Sequence, residues 1–155
     1  MKKKIYLFAG ISLLLDQITK IVAAMFLNHI SVIPGFFSLT YVENTGAAWG
    51  IFNNNRILLI CISVITILII NKYIKQEITI SKLSIISYGM LMGGIFGNLF
   101  DRIFHGYVID FLNFNIFGYD FPVFNIADTL IVIGVLLMII DVVKGGLYGN
   151  NSKQK

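Results

Sequence analysis

A chain of 155 residues that is 57% hydrophobic and 13% charged, with a mean hydropathy of +0.82, is not composed like a soluble domain. Soluble domains carry about a quarter charged residues, and a chain this short buries the smallest share of its surface, so the apolar excess calls for a bilayer. The net charge of +4 is not a nucleic-acid footprint, because most of the lysines stand near the ends of apolar segments. The single cysteine, Cys61, sits within an apolar run; it has no partner for an intramolecular disulfide and reads as a buried thiol acting as a small hydrophobe.

The hydrophobic pattern predicts one integral-membrane domain over 1–155. This is an all-α polytopic membrane protein with four transmembrane helices at about 5–27, 57–74, 84–104 and 124–143. The segments 28–56 and 105–123 fall outside the hydrocarbon. The first apolar run follows Lys2, Lys3 and Lys4. Its length matches the roughly 20 residues needed to span. A cleaved signal peptide is the alternative, but Asp16, Gln17 and Lys20 interrupt the run as a simple leader would not. Asp16 and Lys20 are four apart and share a helix face, either as a structural ion pair or as part of a site.

Pro34-Gly35 and the run Phe36 to Val42, rich in aromatic and β-branched residues, predict short strands. Asn44-Thr45-Gly46 makes a turn. Trp49 and Tyr41 suit the aromatic belt at the interface. The second span is almost purely Leu, Ile and Val and ends in Lys72 and Lys75; a short polar loop, 76–82, follows. In the third span Gly89, Gly93, Gly94 and Gly97 allow a neighbouring helix close. The same stripes then turn polar: Gly94, Asn98 and Arg102 share one face, and Gly93, Gly97 and Asp101 the adjacent one. The segment 105–123 reads as a second interfacial loop, because Asn113, Asn115, Gly118 and Pro122 argue against a helix. Asp120 there is a solvated turn residue. Asp128 opens the last apolar run, and 145–155 is a polar tail.

The positive-inside rule places Lys2, Lys3, Lys4, Lys72, Lys75, Lys82, Lys144, Lys153 and Lys155 on the cytoplasmic side, with both termini. Asp110, Asp128, Asn98, Asp101, Arg102 and Asn125 then converge at the outer boundary. Ionisable groups at such a depth are expensive and usually functional. Two carboxylates brought close share one proton around neutral pH, so one can take a proton from water while the other gives one to a carbonyl oxygen. No HExxH, GxSxG or phosphate-binding glycine loop offers other chemistry. His29 and His105 read as polar loop residues; an Asp101/His105/Asp110 metal set is the alternative. From the residues alone three readings stand: a protease, a small ion or solute transporter using intramembrane carboxylates, and a structural protein.

The motifs taken together narrow this. Asp16-Gln17-Ile18-Thr19-Lys20, Asn44-Thr45-Gly46-Ala47-Ala48-Trp49, Gly93 to Arg102, Val108-Ile109-Asp110-Phe111 and Phe124-Asn125-Ile126-Ala127-Asp128 stand in order along nearly the whole chain. In this the sequence resembles the bacterial lipoprotein signal peptidases (signal peptidase II). Trp49 departs from the phenylalanine expected there but keeps an aromatic. The resemblance implies a multi-pass aspartyl endopeptidase of the bacterial cytoplasmic membrane. It would cut diacylglyceryl-modified prolipoproteins just before the lipidated cysteine. It further implies Asp110 and Asp128 as the catalytic pair, and Asn44, Gly46, Asn98, Asp101, Arg102 and Asn125 as residues lining or supporting the site. Asp16 and Lys20 are further motif positions. The segment 28–56 would be an extracytoplasmic β-cradle. The expected protein is a monomer in membrane lipid, with no cofactor, no metal and no nucleic-acid partner.

Overall fold

The computed structural model of the chain describes residues 2–76 and 81–149. Most of the polar loop read at 76–82, and the end of the polar tail with Lys153 and Lys155, lie outside the described residues. Among the described residues four helices are long and apolar enough to cross a membrane: α1 (Lys2–Phe26), α2 (Arg56–Gln76), α3 (Lys82–Phe104) and α4, Ile126–Gly149, over its part Ile126–Lys144. The two connections on one side of the bundle carry strands β1 (His29–Ile33) and β2 (Phe37–Asn44), then β3 (Val108–Ile116) and β4 (Tyr119–Asp120).

α3 is the hub. α1 and α4 pack extensively against it, and α2 more lightly. α3 is accordingly mostly buried, whereas the outward faces of α1, α2 and α4 expose Leu, Ile and Val along their length. Such a surface suits hydrocarbon. Cys61 is on the exposed face of α2, so the buried position expected for it is corrected to an outward-facing one.

Small residues on α3 make this packing possible. A Cβ added at Gly93 would meet Ser12 Cβ at 2.3 Å and the Ala9 carbonyl oxygen at 2.6 Å, and one at Gly94 would meet the Ala127 carbonyl oxygen at 2.5 Å. Two ridges of one helix thus receive α1 and α4. Both ends of α3 are tied. Ser81 caps its start, accepting from Ser84 N at 2.8 Å, while the Ser81 and Ser84 hydroxyls donate to Asp141 of α4. At the other end Arg56 donates to the carbonyls of Arg102 and Ile103 at 2.6 and 2.7 Å, meeting the need of a helix C-terminus for donors.

The strands form one antiparallel sheet of order β1-β2-β3-β4. Residues 105–123, read as a loop, therefore also contribute a strand that pairs with the first segment. Asp110 and the Asn residues of Val108–Ile116 are poor strand formers and hide that pattern. Val42 pairs with Asp110 and Asn44 with Val108. Ile109 and Phe111, on the other face, pack with Ala23 of α1, Leu39 and Tyr41. Beyond β4 the chain folds back onto β3: Phe111 N and Leu112 N both donate to the Phe124 carbonyl, at 3.0 and 2.8 Å. That return delivers the start of α4 beside Asp110.

Gly93→Ala is expected to lower stability by about 1–3 kcal/mol, since the α1 backbone at Ala9 and Leu13 stands in the way of the added carbon. Gly10→Ala, where nothing lies within 4 Å of the added carbon, should be neutral or better. Thermal unfolding of the two detergent-solubilised variants checks this.

Candidate active site

Four parts of the chain meet at the sheet end of the bundle: β3 with Asp110, the first turn of α4 with Asp128, the last turns of α3 with Asn98 and Arg102, and the end of β2 with the turn after it, carrying Asn44 and Gly46. The start of α4 is defined by a reciprocal cap. Asn125 Oδ1 accepts from Asp128 N at 2.9 Å, and Asp128 Oδ2 accepts from Asn125 N at 3.2 Å. This is a capping box with an acid in the third position. It serves the helix end and also fixes the Asp128 carboxylate.

Three amides distribute donors to the two acids. Asn44 Nδ2 donates to Asp110 Oδ2 at 2.9 Å, and Asn125 Nδ2 donates to Asp110 Oδ1 at 2.6 Å. Asn98 Nδ2 donates to Asp128 Oδ1 at 2.8 Å. Asn125 also donates to Asn98 Oδ1 at 3.2 Å, so the side chains form one connected set. Asn44 is itself held by Gly46 N, which donates to its Oδ1 at 2.9 Å. Arg102 reaches across from α3 and donates to the Gly46 carbonyl at 2.9 Å. Among the described residues Arg102 makes carbonyl contacts and no ion pair; Asp101 is engaged by Lys20.

Beneath this set lies an ion cluster sealed from water. Lys20 Nζ is 2.9 Å from Asp16 Oδ2, 2.9 Å from Asp101 Oδ2 and 2.9 Å from Asn98 Oδ1, with about 1% of its side chain exposed. Asp16 also accepts from Ala127 N at 2.8 Å, and Asp101 from Ile109 N at 3.1 Å. Gln17 joins the two acids and the Gly97 carbonyl. Gln17 stood in the sequence as an interruption of an apolar run and as a member of the first motif, but the sequence assigned it no role; a polar side chain adjoining an intramembrane acid was the signal that could have placed it. Asp16, Lys20 and Asp101 thus support the site from below and do not line it.

The open side is a cleft of about 810 Å³. Asp110, Asp128, Asn98 and Arg102 belong to its polar lining, with Glu43, Asn44, Thr45, Asn53 and Thr129, and Val132 and Ile133 of α4 extend it along an apolar wall. Trp49, expected as an interfacial anchor, lines the same cleft. Its indole donates to the Tyr119 hydroxyl at 3.2 Å and stands edge-on to Phe121 at 6.0 Å, joining the two interhelical segments. Trp49 takes φ 56°, a left-handed conformation costly for a bulky residue. Burial, then the neighbouring Asp128 charge, push the Asp110 carboxyl up to about 7, against the lowering effect of its bonds to Asn44 and Asn125. Such a group exchanges its proton near neutral pH. His105 lies 4.0 Å from Asp101, at the sheet end and away from the two cleft acids.

Comparison with known proteins gives this geometry a context. A family model described as signal peptidase (SPase) II matches residues 8–144. A lipoprotein signal peptidase of Clostridium tetani is 41% identical over 142 residues, covering 89% of this chain and 91% of that protein. One of Staphylococcus haemolyticus is 36% identical over 162 residues, covering 99% and 100%. Among solved structures, a bacterial membrane enzyme determined in meso at 2.3 Å superposes with a TM-score of 0.81 at 35% identity, over 96% of this chain and 90% of that one. With a family model across most of its length, and relatives of this identity and coverage, the chain belongs to the signal peptidase II family of membrane proteases that process lipoprotein precursors.

Proposed function

We propose that Asp110 and Asp128 are an aspartyl dyad that removes the signal peptide from diacylglyceryl-modified prolipoproteins, cutting just before the lipidated cysteine. The observation that carries this reading is the placement of two carboxylates, from β3 and α4, on a shared set of amides at the edge of the cleft.

A water between the acids loses a proton to one carboxylate as its oxygen attacks the scissile carbonyl. The other, protonated, carboxyl gives its proton to the carbonyl oxygen. Asp110 is suited to the second role, because its carboxyl holds a proton near neutral pH. The tetrahedral intermediate collapses by breaking the C–N bond: the proton taken from water passes to the leaving amine, and one hydroxyl proton of the intermediate returns to Asp110 as the new carboxyl forms. Asn44, Asn98 and Asn125 orient the acids, and Arg102 with Gly46 fixes the turn that carries Asn44. Asp16, Lys20 and Asp101 hold the frame. No step needs a cofactor or a metal. The Val132–Ile133 wall suits an apolar signal segment or acyl chain entering from lipid. The segments bridged by Trp49 and Tyr119 close the cleft toward water.

In the membrane the lysine end, with Lys2, Lys3, Lys4, Lys72, Lys75, Lys82 and Lys144, faces the cytoplasm together with both termini. The dyad then faces outward, at the depth where the diacylglyceryl group of a translocated precursor is anchored in the outer leaflet. The protein acts as a monomer on its lipidated substrate.

Asp110→Asn and Asp128→Asn should each lower cleavage about a thousandfold or more, with no change in the helical spectrum. A purified-enzyme assay on one precursor, with and without its diacylglyceryl group, should show turnover of the lipidated form only. Turnover by either variant removes the dyad. No cleavage by the intact protein, with ion flux into liposomes dependent on Asp110, would favour a transporter.

The pH dependence has a definite sign. The Asp110 carboxyl is raised from 3.8 to about 7, so the folded protein retains this proton where a free carboxyl has lost it. Raising the pH through about 7 removes the general acid, and single-turnover cleavage should fall on that side. A rate that instead climbs steadily from pH 6 to 9 would rule out Asp110 as the proton donor.

A further inference from the structure

We infer that Lys20 is a positioning residue: its contact with Asn98 Oδ1 fixes which way round the Asn98 amide stands, so that Asp128 faces an N–H donor and Asn125, which donates to Asp110, faces an acceptor. This rests on the dyad reading above and assigns to one buried cation a function beyond charge balance.

The two ends of an asparagine amide are nearly the same in shape and opposite in hydrogen bonding. Packing alone therefore does not decide between the two orientations; the neighbours' polarity does. Asn98 has a cation on one side and a carboxylate on the other. Its Oδ1 is 2.9 Å from Lys20 Nζ, and its Nδ2 is 2.8 Å from Asp128 Oδ1. Turning the amide over would set its NH2 group against the ammonium and its oxygen against the carboxylate. The same Oδ1 also accepts from Asn125 Nδ2, at 3.2 Å, while Asn125 Oδ1 takes Asp128 N. Asn125 Nδ2 is thereby turned to Asp110. The ammonium sets the Asn98 end of a chain of bonds that ends on both acids, and the α4 cap sets the Asn125 end.

Lys20 takes no direct part in the chemistry. Its three N–H bonds have three acceptors, on Asp16, Asp101 and Asn98, and it does not line the cleft. Nor is its third bond needed to satisfy the two buried acids. Asp16 has Ala127 N and Gln17, and Asp101 has Ile109 N and Gln17. That third bond goes to a neutral amide whose other end touches the dyad.

The test separates the donor from the charge. In an Asp16→Asn background, Lys20→Gln and Lys20→Met leave the cluster with the same net charge, but only the first still offers an N–H toward Asn98. The Lys20→Met protein should lose kcat about a hundredfold relative to the Asp16→Asn parent, with KM within about threefold, because aligned acids matter in the transition state and little in binding. The Lys20→Gln protein, whose donor is one bond shorter, should recover at least about tenfold of that loss. Should the Met variant not fold, Lys20→Met with both Asp16→Asn and Asp101→Asn leaves no stranded charge in the cluster and is compared with its own Lys20→Gln counterpart. Equal kcat for the Met and Gln variants, or losses that follow the melting temperature alone, overturn the inference. Loss of cleavage by the intact protein would overturn the dyad reading itself and is seen before any variant is made.

Discussion

A buried cation held between two carboxylates is the constraint on which the rest of this structure depends. Charges away from water are tolerated only when paired and hydrogen-bonded, and removing one partner of such a set costs about 3–5 kcal/mol. Asp16 and Lys20 come from α1, Asp101 from α3; the remaining valences of the acids are met by Ala127 N at the start of α4 and Ile109 N of β3. Four elements therefore meet at one electrostatic point. The cluster cannot be assembled with any of them displaced, and Gly97 leaves the room it needs: a Cβ there would fall 2.3 Å from Asp16 Oδ2. Close helix approach and charge pairing are two aspects of one requirement.

The cleft acids obey the opposite logic. Asp128 is tied to its own helix end and to Asn98, and Asp110 has only neutral amide donors. Neither has a cation within salt-bridge distance among the described residues. A direct ion pair would have held either carboxylate ionised at all working pH values. Amides satisfy the oxygens without removing the ability to hold a proton, and burial raises the Asp110 carboxyl to about 7. The cation stays one residue further away, acting through Asn98. Separating a paired charge cluster from an unpaired acid couple by a layer of asparagines lets one small protein carry both.

Much of this was legible in the sequence because the bilayer enforces simple rules. The apolar runs, the lysines at their ends and the glycine-to-polar stripes of α3 follow from burial and from the need of polar groups to face inward. The motif positions then pointed to every residue of the amide set. The contribution of β3 was not legible as a strand, because Asp110 and the asparagines that make it useful also make it look like a loop. The bond partners of Arg102 were also open, since charge alone does not say whether a guanidinium meets an acid or a carbonyl. Gln17 was hidden for a third reason: its role exists only when α1, α3 and the Gly97 carbonyl are already in place. The Trp49–Tyr119 bridge joins residues 70 apart, across two segments whose pairing required the missed strand.

The depth of the acids follows from the backbone as much as from the side chains. Within hydrocarbon every N–H and C=O must be paired, so open sheets and irregular turns are confined to the boundary. β1 is an edge strand with an unpaired side, and residues 48–55 include the left-handed Trp49, Phe52 and Asn54. Neither can sit in lipid. Because Asp110 is part of that sheet and Phe124 is bonded back to it, the first turn of α4 is held at the same level. Asp128 is thereby held level with the sheet by backbone hydrogen bonds of the returning chain. Below it α4 continues as Ile131, Val132 and Ile133 into the apolar region, while above it the cleft is rimmed by Asn44, Thr45 and Asn53. On the proposed function, a substrate bond that joins a lipid-anchored residue to an apolar segment would be met at that junction.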